Sequence, residues 1–364
     1  MTTMKILAIV PAIFDTSPGQ RFRLEQWEPI LREQGIYITW SSFEDETLHE
    51  VMGRPGNMLA KVSGILRGFS HRFSDLHRAN DFDAIYIFRE AALLGPAIFE
   101  RLLAYTGVPM VFDFDDAVWI RYVSPAHGHL SYLKMPQKTG GIIAKCAHVM
   151  AGNTYLAEYA RPFNDNISVI PTTIDTEKYR VPNGMKKLSD VPVIGWSGSF
   201  STVQHLDILR LTLQQLAKDV RYKLRVIGTS KYDLPGVDVE AIPWRAATEV
   251  EDLSGLDVGI MPLPDEDWTR GKCGLKALQY MALGIPTICS PVGVNTEIIH
   301  DGVNGMLAAN DNEWITKLKL LLADVSHRER LGASGKQTVI EKYSAKAVAP
   351  KVADLFKSLH NPSK

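Results

Sequence analysis

Short β-branched apolar runs alternate with longer amphipathic ones along most of this chain. KILAIV (Lys5–Val10) is continuous enough to predict a buried strand, and RLEQWEPILREQG (Arg23–Gly35) a helix stopped at Gly35. IYITW (36–40) follows as a strand. After a long, partly basic stretch come AIYIFR (84–89) as a strand, EAALLGPAIFERLLAYTG (90–107) as a helix, and VPMVFDFDD (108–116), HVMAGN (148–153) and ISVIP (167–171) as strands. Strand, helix, strand in repetition predicts a parallel sheet with helices on both faces.

The alternation stops at TTIDTEKYRVPNGMKKLSDVP (172–192), which is polar and punctuated by Pro and Asn-Gly, as a linker is. It restarts with VPVIGWSG (191–198), a helical VQHLDILRLTLQQLAKD (203–219) and YKLRVIG (222–228). DVEAIPW (238–244), LDVGIMPLP (256–264), a helical GLKALQYMALG (274–284), IPTICSP (285–291) and a helical end from Asp311 complete it. The expectation is an α/β protein of two facing Rossmann-like domains, each a doubly wound parallel sheet, with a cleft between them. The boundaries are 1–171, a linker at 172–191, 192–344, and a helix at 345–364 that crosses back to the first domain.

Composition adds limits. A chain of 364 residues that is 45% hydrophobic and 22% charged can fill two cores. Its formal net charge of -1 argues against a nucleic-acid binder. The 3 cysteines, without CxxC spacing, give neither a disulfide framework nor a zinc pattern and suit a reducing, cytoplasmic setting. No uncharged stretch reaches the length of a membrane span. Segment 54–78 sets Leu59, Val62, Leu66, Phe69 and Phe73 at helical spacing, with Lys61, Arg67, Arg72 and Arg78 between them. The commoner meaning of such a stripe is the core side of a covering helix. Peripheral contact with an anionic membrane, at its inner face, is the second.

Candidate chemistry gathers at strand ends. PAIFDTSPGQRFR offers Gly19, Arg21 and Arg23 just after the first strand, where a helix N-terminus attracts anions. It lacks GxGxxG, so a nicotinamide fingerprint is not supported. VFDFDDAVW places Asp113, Asp115 and Asp116 at another strand end, as base, metal ligand or helix cap. Too few oxygens are present for a metal cage, and Asp115 or Asp116 is the candidate for chemistry. In the second half, Gly198 and Ser199 end a strand with small residues that suit a phosphate. Trp244 and Arg245 could hold a base, although a buried Trp is the commoner outcome. WTRGKCGLKALQYMALG puts Arg270 and Lys272 before a predicted helix start, with Lys276 a turn further on. That is a diphosphate site in the making.

These motifs together resemble glycosyltransferases of the GT-B fold, family 4, over essentially the whole chain. VIPTTIDTEKY is similar to that family's linker signature VIPNGVDxxxF. KALQYMALGIPTICSPVGVNTEIIHDGVNGML is similar to its donor-site signature, E-A-M-A-x-G-x-P-V-V-A-S with a following E-I-I and D-G-x-N-G. The resemblance implies an enzyme moving a sugar from a nucleotide donor, of UDP or GDP type, to a glycan or lipid-linked acceptor, in polysaccharide or glycoconjugate assembly. It also implies mostly retaining chemistry with front-face attack, no cofactor and no metal, and a donor-sugar loop at Gly293, Val294, Asn295 and Glu297. The family's paired glutamates fall on Gly271 and Gln279. Gln279 can still bond a ribose hydroxyl. A sugar-nucleotide epimerase and a non-catalytic sugar-nucleotide binder are the rival readings.

Overall fold

The structure is a computed structural model and describes residues 3–52, 56–121, 135–181, 191–198 and 202–359. The chain divides into two compact units, Met1–Thr172 with Val348–Lys364, and Thr173–Ala347. Positions 182–190 of the expected linker, and Ser199, lie outside the described residues.

The first unit is built on strands β1 (Met4–Val10), β2 (Ile36–Ser42), β3 (Ala84–Phe88), β4 (Met110–Phe114), β5 (His148–Ala151) and β6 (Ile167–Val169). They pair in parallel in the order β2-β1-β3-β4-β5-β6. β3 and β4 are buried along their whole length because helices cover both faces of a parallel sheet, which is why β3 reads as an unbroken apolar run and β4 as one broken only by Asp113. Within this unit, residues from Val348 onward pack back on the sheet: the Phe356 ring meets Tyr86, and Lys357 bonds Gln34.

The second unit carries β7 (Val193–Ser197), β8 (Lys223–Ile227), β9 (Asp238–Ile242), β10 (Val258–Met261), β11 (Thr287–Cys289) and β12 (Met306–Leu307). Their order is β12-β11-β10-β7-β8-β9, again parallel. Its core joins Trp196, Leu224 and Ile260 of the sheet to Leu213, Leu216, Trp314 and Leu318 of the covering helices. The expected α/β class with two Rossmann-like parallel sheets is therefore what the structure shows. In each sheet the strand order reverses beside the first strand, between β1 and β3 and between β7 and β10. Ligands of such sheets bind at the carboxyl ends beside that reversal.

Three local expectations need correction. The helix expected over 90–107 is confined to Ile98–Ala104, since Gly95 adopts a left-handed φ of 87° and Pro96 follows it. The segment 203–219 begins as a 3-10 turn, Val203–Leu209, before the α-helix Arg210–Asp219. The largest correction concerns the helix Met58–Arg78. Its buried positions are Gly64, Gly68, Arg72 and Asp75, so Leu59, Val62, Leu66 and Phe73 of the expected stripe are exposed, while Phe69 is half-buried against Phe43 and Phe99. No helix among the described residues is long and apolar enough to cross a membrane.

Candidate functional site

At the reversal point of the second sheet, β7 ends in Trp196 and Ser197, with Gly198 next. β10 leads through 262–274 into the helix Leu275–Ala282. That helix is fixed by Tyr280, whose hydroxyl accepts the Ser197 amide at 2.7 Å and whose ring fills the space a side chain on Gly259 would need. Gly274 caps the helix at a φ of 70°, a left-handed turn that favours glycine. Gly198 is similarly dictated: a Cβ there would lie 2.3 Å from the Trp196 ring.

Three basic side chains gather around these elements. The Lys276 Nζ sits 5.3 Å from the centre of the Trp196 ring, and the Lys272 Nζ 3.4 Å above Trp268. His205 lies with its ring 5.9 Å from Trp268. Burial, reinforced by Lys272, pushes the Lys276 ammonium down to about 8. Burial and both lysines push His205 down to about 4, so the imidazole is neutral at pH 7. Among the described residues no carboxylate pairs with Lys276, and the buried Nε2 of His205 has no hydrogen-bond partner. A half-buried cation with no carboxylate counterion among the described residues, beside an unsatisfied buried ring nitrogen, is a setting that an anionic group would satisfy.

Arg270 is placed differently. It is half-exposed and grips Asp265 through Nε at 2.7 Å and Nη2 at 3.1 Å, with Asp267 at 3.4 Å. Its backbone instead backs the following loop, since a Cβ on Gly293 would lie 2.7 Å from the Arg270 carbonyl oxygen. Val294 caps the short helix Asn295–Ile298. Asn295 donates to the Ser290 carbonyl while its Oδ1 is buried without a partner, and Glu297 is exposed.

Gln279, one turn beyond Lys276, is buried, and its Nε2 donates to the Tyr179 hydroxyl and to Glu249 Oε1, both at 3.0 Å. A carboxylate only accepts, which sets the amide's orientation. Glu249 also accepts from Tyr179 at 2.8 Å and from the Trp244 indole at 2.9 Å. Trp244 is therefore tied down by its nitrogen but partly exposed, which departs from the commoner buried outcome for Trp. Arg245 is exposed. The segment 268–293 lacks an acid, yet the fold brings Glu249 to it from another helix.

In the first unit, the corresponding reversal point joins the turn after β1 to the ends of β3 and β4. Arg89 takes a left-handed φ of 61° and donates from Nε to Asp115 at 2.7 Å, with Asp116 at 4.0 Å. Gly19 lies so close that a Cβ would stand 2.8 Å from Asp115 Oδ2 and 2.9 Å from Arg89 Nη2. Asp116 also accepts the Ala117 amide. Arg21 is buried over the Phe22 ring with Asp15 at 3.7 Å. Arg23 belongs to the core. It is wholly enclosed, donating to Asp113 at 2.7 Å and to the Ile170 carbonyl at 2.8 Å, and Tyr86 also donates to Asp113. Burial raises the Asp113 carboxyl against the pull of Arg23. No group of three or more His, Cys, Asp or Glu side chains suited to a metal occurs among the described residues.

His205, Trp196, Trp268, Tyr179, Glu249 and Arg89 escape the sequence reading. Periodicity marks none of them, because each acquires its role from a neighbour distant in the chain.

Residues 191–324, inside the second unit, match the family model "Glycosyl transferases group 1". No curated protein matches the chain. Among solved structures it is similar to sucrose-phosphate synthase from Thermosynechococcus elongatus (TM-score 0.70, 16% identity, 98% of this chain and 99% of that one). It is also similar to a glycosyltransferase from Rickettsia africae (0.69, 15%, 100% of both). A third is HepE from Anabaena, solved with UDP and glucose (0.68, 15%, 98% and 100%).

Proposed function

Starting from a second unit that carries a glycosyltransferase domain, we propose that the chain transfers a sugar from a nucleoside-diphosphate donor, of UDP or GDP type, to a glycan or lipid-linked acceptor. The observation that carries this reading is Lys276. It is a desolvated cation beside Lys272 and the neutral His205, without a carboxylate counterion among the described residues. A diphosphate supplies the missing negative charge. As the glycosidic bond breaks, charge grows on the β-phosphate, and cations already in place favour that state over the ground state.

The reading includes retaining chemistry without a metal. Fixed ammonium groups take the part a divalent ion plays elsewhere, and the departing phosphate assists front-face attack by the acceptor. Glu249 and Gln279, one turn from Lys276, form the nucleoside side, with Glu249 as a hydroxyl acceptor held by Tyr179, Trp244 and Gln279. In the first unit Asp115, steadied by Arg89 under Gly19, orients the acceptor hydroxyl, with Asp116 beside it. HepE, which binds UDP and UDP-glucose, supports a sugar nucleotide as the donor class.

The test is thermal stabilisation by UDP, GDP, dTDP, CMP and NAD, each with and without magnesium. One nucleoside diphosphate at 100 times its dissociation constant should add about 2.7 kcal/mol without metal. Stabilisation by NAD alone would overturn the reading. Turnover of the donor with no acceptor present would favour an epimerase.

A further inference from the structure

His205 is fixed by the core of the second unit, while its Nε2 is left without a hydrogen bond. Its turn, Val203–Leu209, buries Leu206 and Leu209 beside Trp196 and Leu224, which sets the backbone. The imidazole lies 5.9 Å from the Trp268 ring at 30° to it, and only 6% of the residue is exposed. A histidine kept for packing spends its ring nitrogens on protein partners, as His148 does by bonding Ser168 at 2.9 Å. Among the described residues the buried Nε2 of His205 has no such partner. The charged groups that act on the ring are Lys276 and Lys272, which together with burial hold it down to about 4, neutral at pH 7.

The proposed transfer creates charge at such a place. In a sugar nucleotide each phosphate carries a single negative charge, and Lys272 and Lys276 match the pair in number. During transfer the bond from sugar C1 to the β-phosphate oxygen breaks, and its electron pair stays on that oxygen. The acceptor oxygen bonds C1, and its proton passes to the departing phosphate and from there to water. The nucleoside diphosphate left behind holds about three negative charges at pH 7, because a terminal phosphate ionises a second time near about 6. Arg270, the other cation of the segment, is gripped by Asp265. A neutral N–H adds no charge to the ground state, yet its bond strengthens as the oxygen it meets becomes more negative.

We propose that His205 donates its Nε2–H to the β-phosphate oxygen that leaves the sugar, as a catalytic residue for leaving-group departure. The inference rests on the reading of the Lys276 site as a diphosphate site. It adds a discrimination between the donor and its product.

The test is calorimetric titration of UDP and UDP-glucose, and of the matching GDP pair, into wild type, His205→Leu and His205→Gln. All are run at pH 7 without magnesium. His205→Leu should weaken the nucleoside diphosphate at least about tenfold and the sugar nucleotide less than about threefold, since only the former carries the added charge. His205→Gln, whose amide N–H reaches nearly as far as Nε2, should restore most of that loss. In wild type the His205 imidazole resonances, assigned by their absence from His205→Gln, should shift with the diphosphate and by less with the sugar nucleotide. That measurement stands even where His205→Leu unfolds. Equal weakening of both ligands, or an unshifted imidazole with the diphosphate bound, would overturn the inference and leave the diphosphate site standing. Wild type that binds neither UDP nor GDP would overturn the site reading itself, and this inference with it.

Discussion

Replacing Lys276 by Met separates what this side chain does for binding from what it does to the fold. Its ammonium is pushed from 10.5 down to about 8, a difference of about 2.5 units, each equivalent to about 1.36 kcal/mol. Holding the charge inside the unliganded second unit therefore disfavours folding by about 3 kcal/mol, as an upper figure. Methionine keeps most of the apolar stem and removes the charge, so Lys276→Met should be more stable than wild type by about 1–3 kcal/mol at pH 7. The pH dependence distinguishes this cause from better packing. Between pH 8 and 10.5 the unfolded chain binds more protons at Lys276 than the folded one, so wild-type stability gains on the variant across that window. Above it the two should converge.

The assay is urea unfolding of both proteins at pH 7 and again near pH 10, with and without the stabilising nucleoside diphosphate. Wild type should gain from the nucleotide and the variant should not. Binding near pH 8.5 should also take up a proton in wild type, visible as a binding enthalpy that depends on the ionisation heat of the buffer. A variant less stable than wild type at pH 7, or a stability difference that stays constant to pH 10, would refute the argument.

Other perturbations follow from the same geometry. Gln279→Glu sets a second carboxylate where Nε2 now lies 3.0 Å from Glu249. It should destabilise by about 2–4 kcal/mol at pH 7 and recover partly on acidification, as urea titrations at pH 5 and 7 would reveal. Because His205 is held down to about 4, its contribution is intact above about pH 6.5 and is lost as pH falls towards 4, by up to about 3 kcal/mol. His205→Gln should flatten that part of the stability profile. Arg270→Ala, at an exposed ion pair with Asp265, should change stability by less than about 0.5 kcal/mol and nucleotide affinity by less than Lys272→Ala does. Gly19→Ala should lower transfer activity more than it lowers donor binding, because its Cβ would push on Asp115 and Arg89.

What the chain reveals before folding is set by the range of the interaction. The strands were legible because burial on both faces of a parallel sheet forces unbroken apolar runs, as in β3 and in Ile6–Val10 of β1. The grouping of Gly274, Lys272 and Lys276 was legible for a simpler reason: they are neighbours in sequence and meet at one helix start. The acid at Gln279 was invisible, since Glu249 reaches it across 30 positions through a contact no local pattern encodes. Arg23 misled in the opposite sense. An arginine in a glycine-containing turn reads as a ligand group, yet its partner Asp113 lies 90 positions away inside the core.

The helix Met58–Arg78 marks where periodicity itself fails. Apolar side chains at helical spacing establish that one face differs from the other, and not which of them is turned inward. Direction comes from packing partners: Gly64 and Gly68 admit Leu48 and Phe43, and Arg72 finds four acceptors in the first unit. Small residues and one satisfiable charge can thus outcompete five large apolar side chains for the interior. The apolar side chains Met58, Leu59, Val62, Leu66 and Phe73 are left exposed as the consequence of that inward packing.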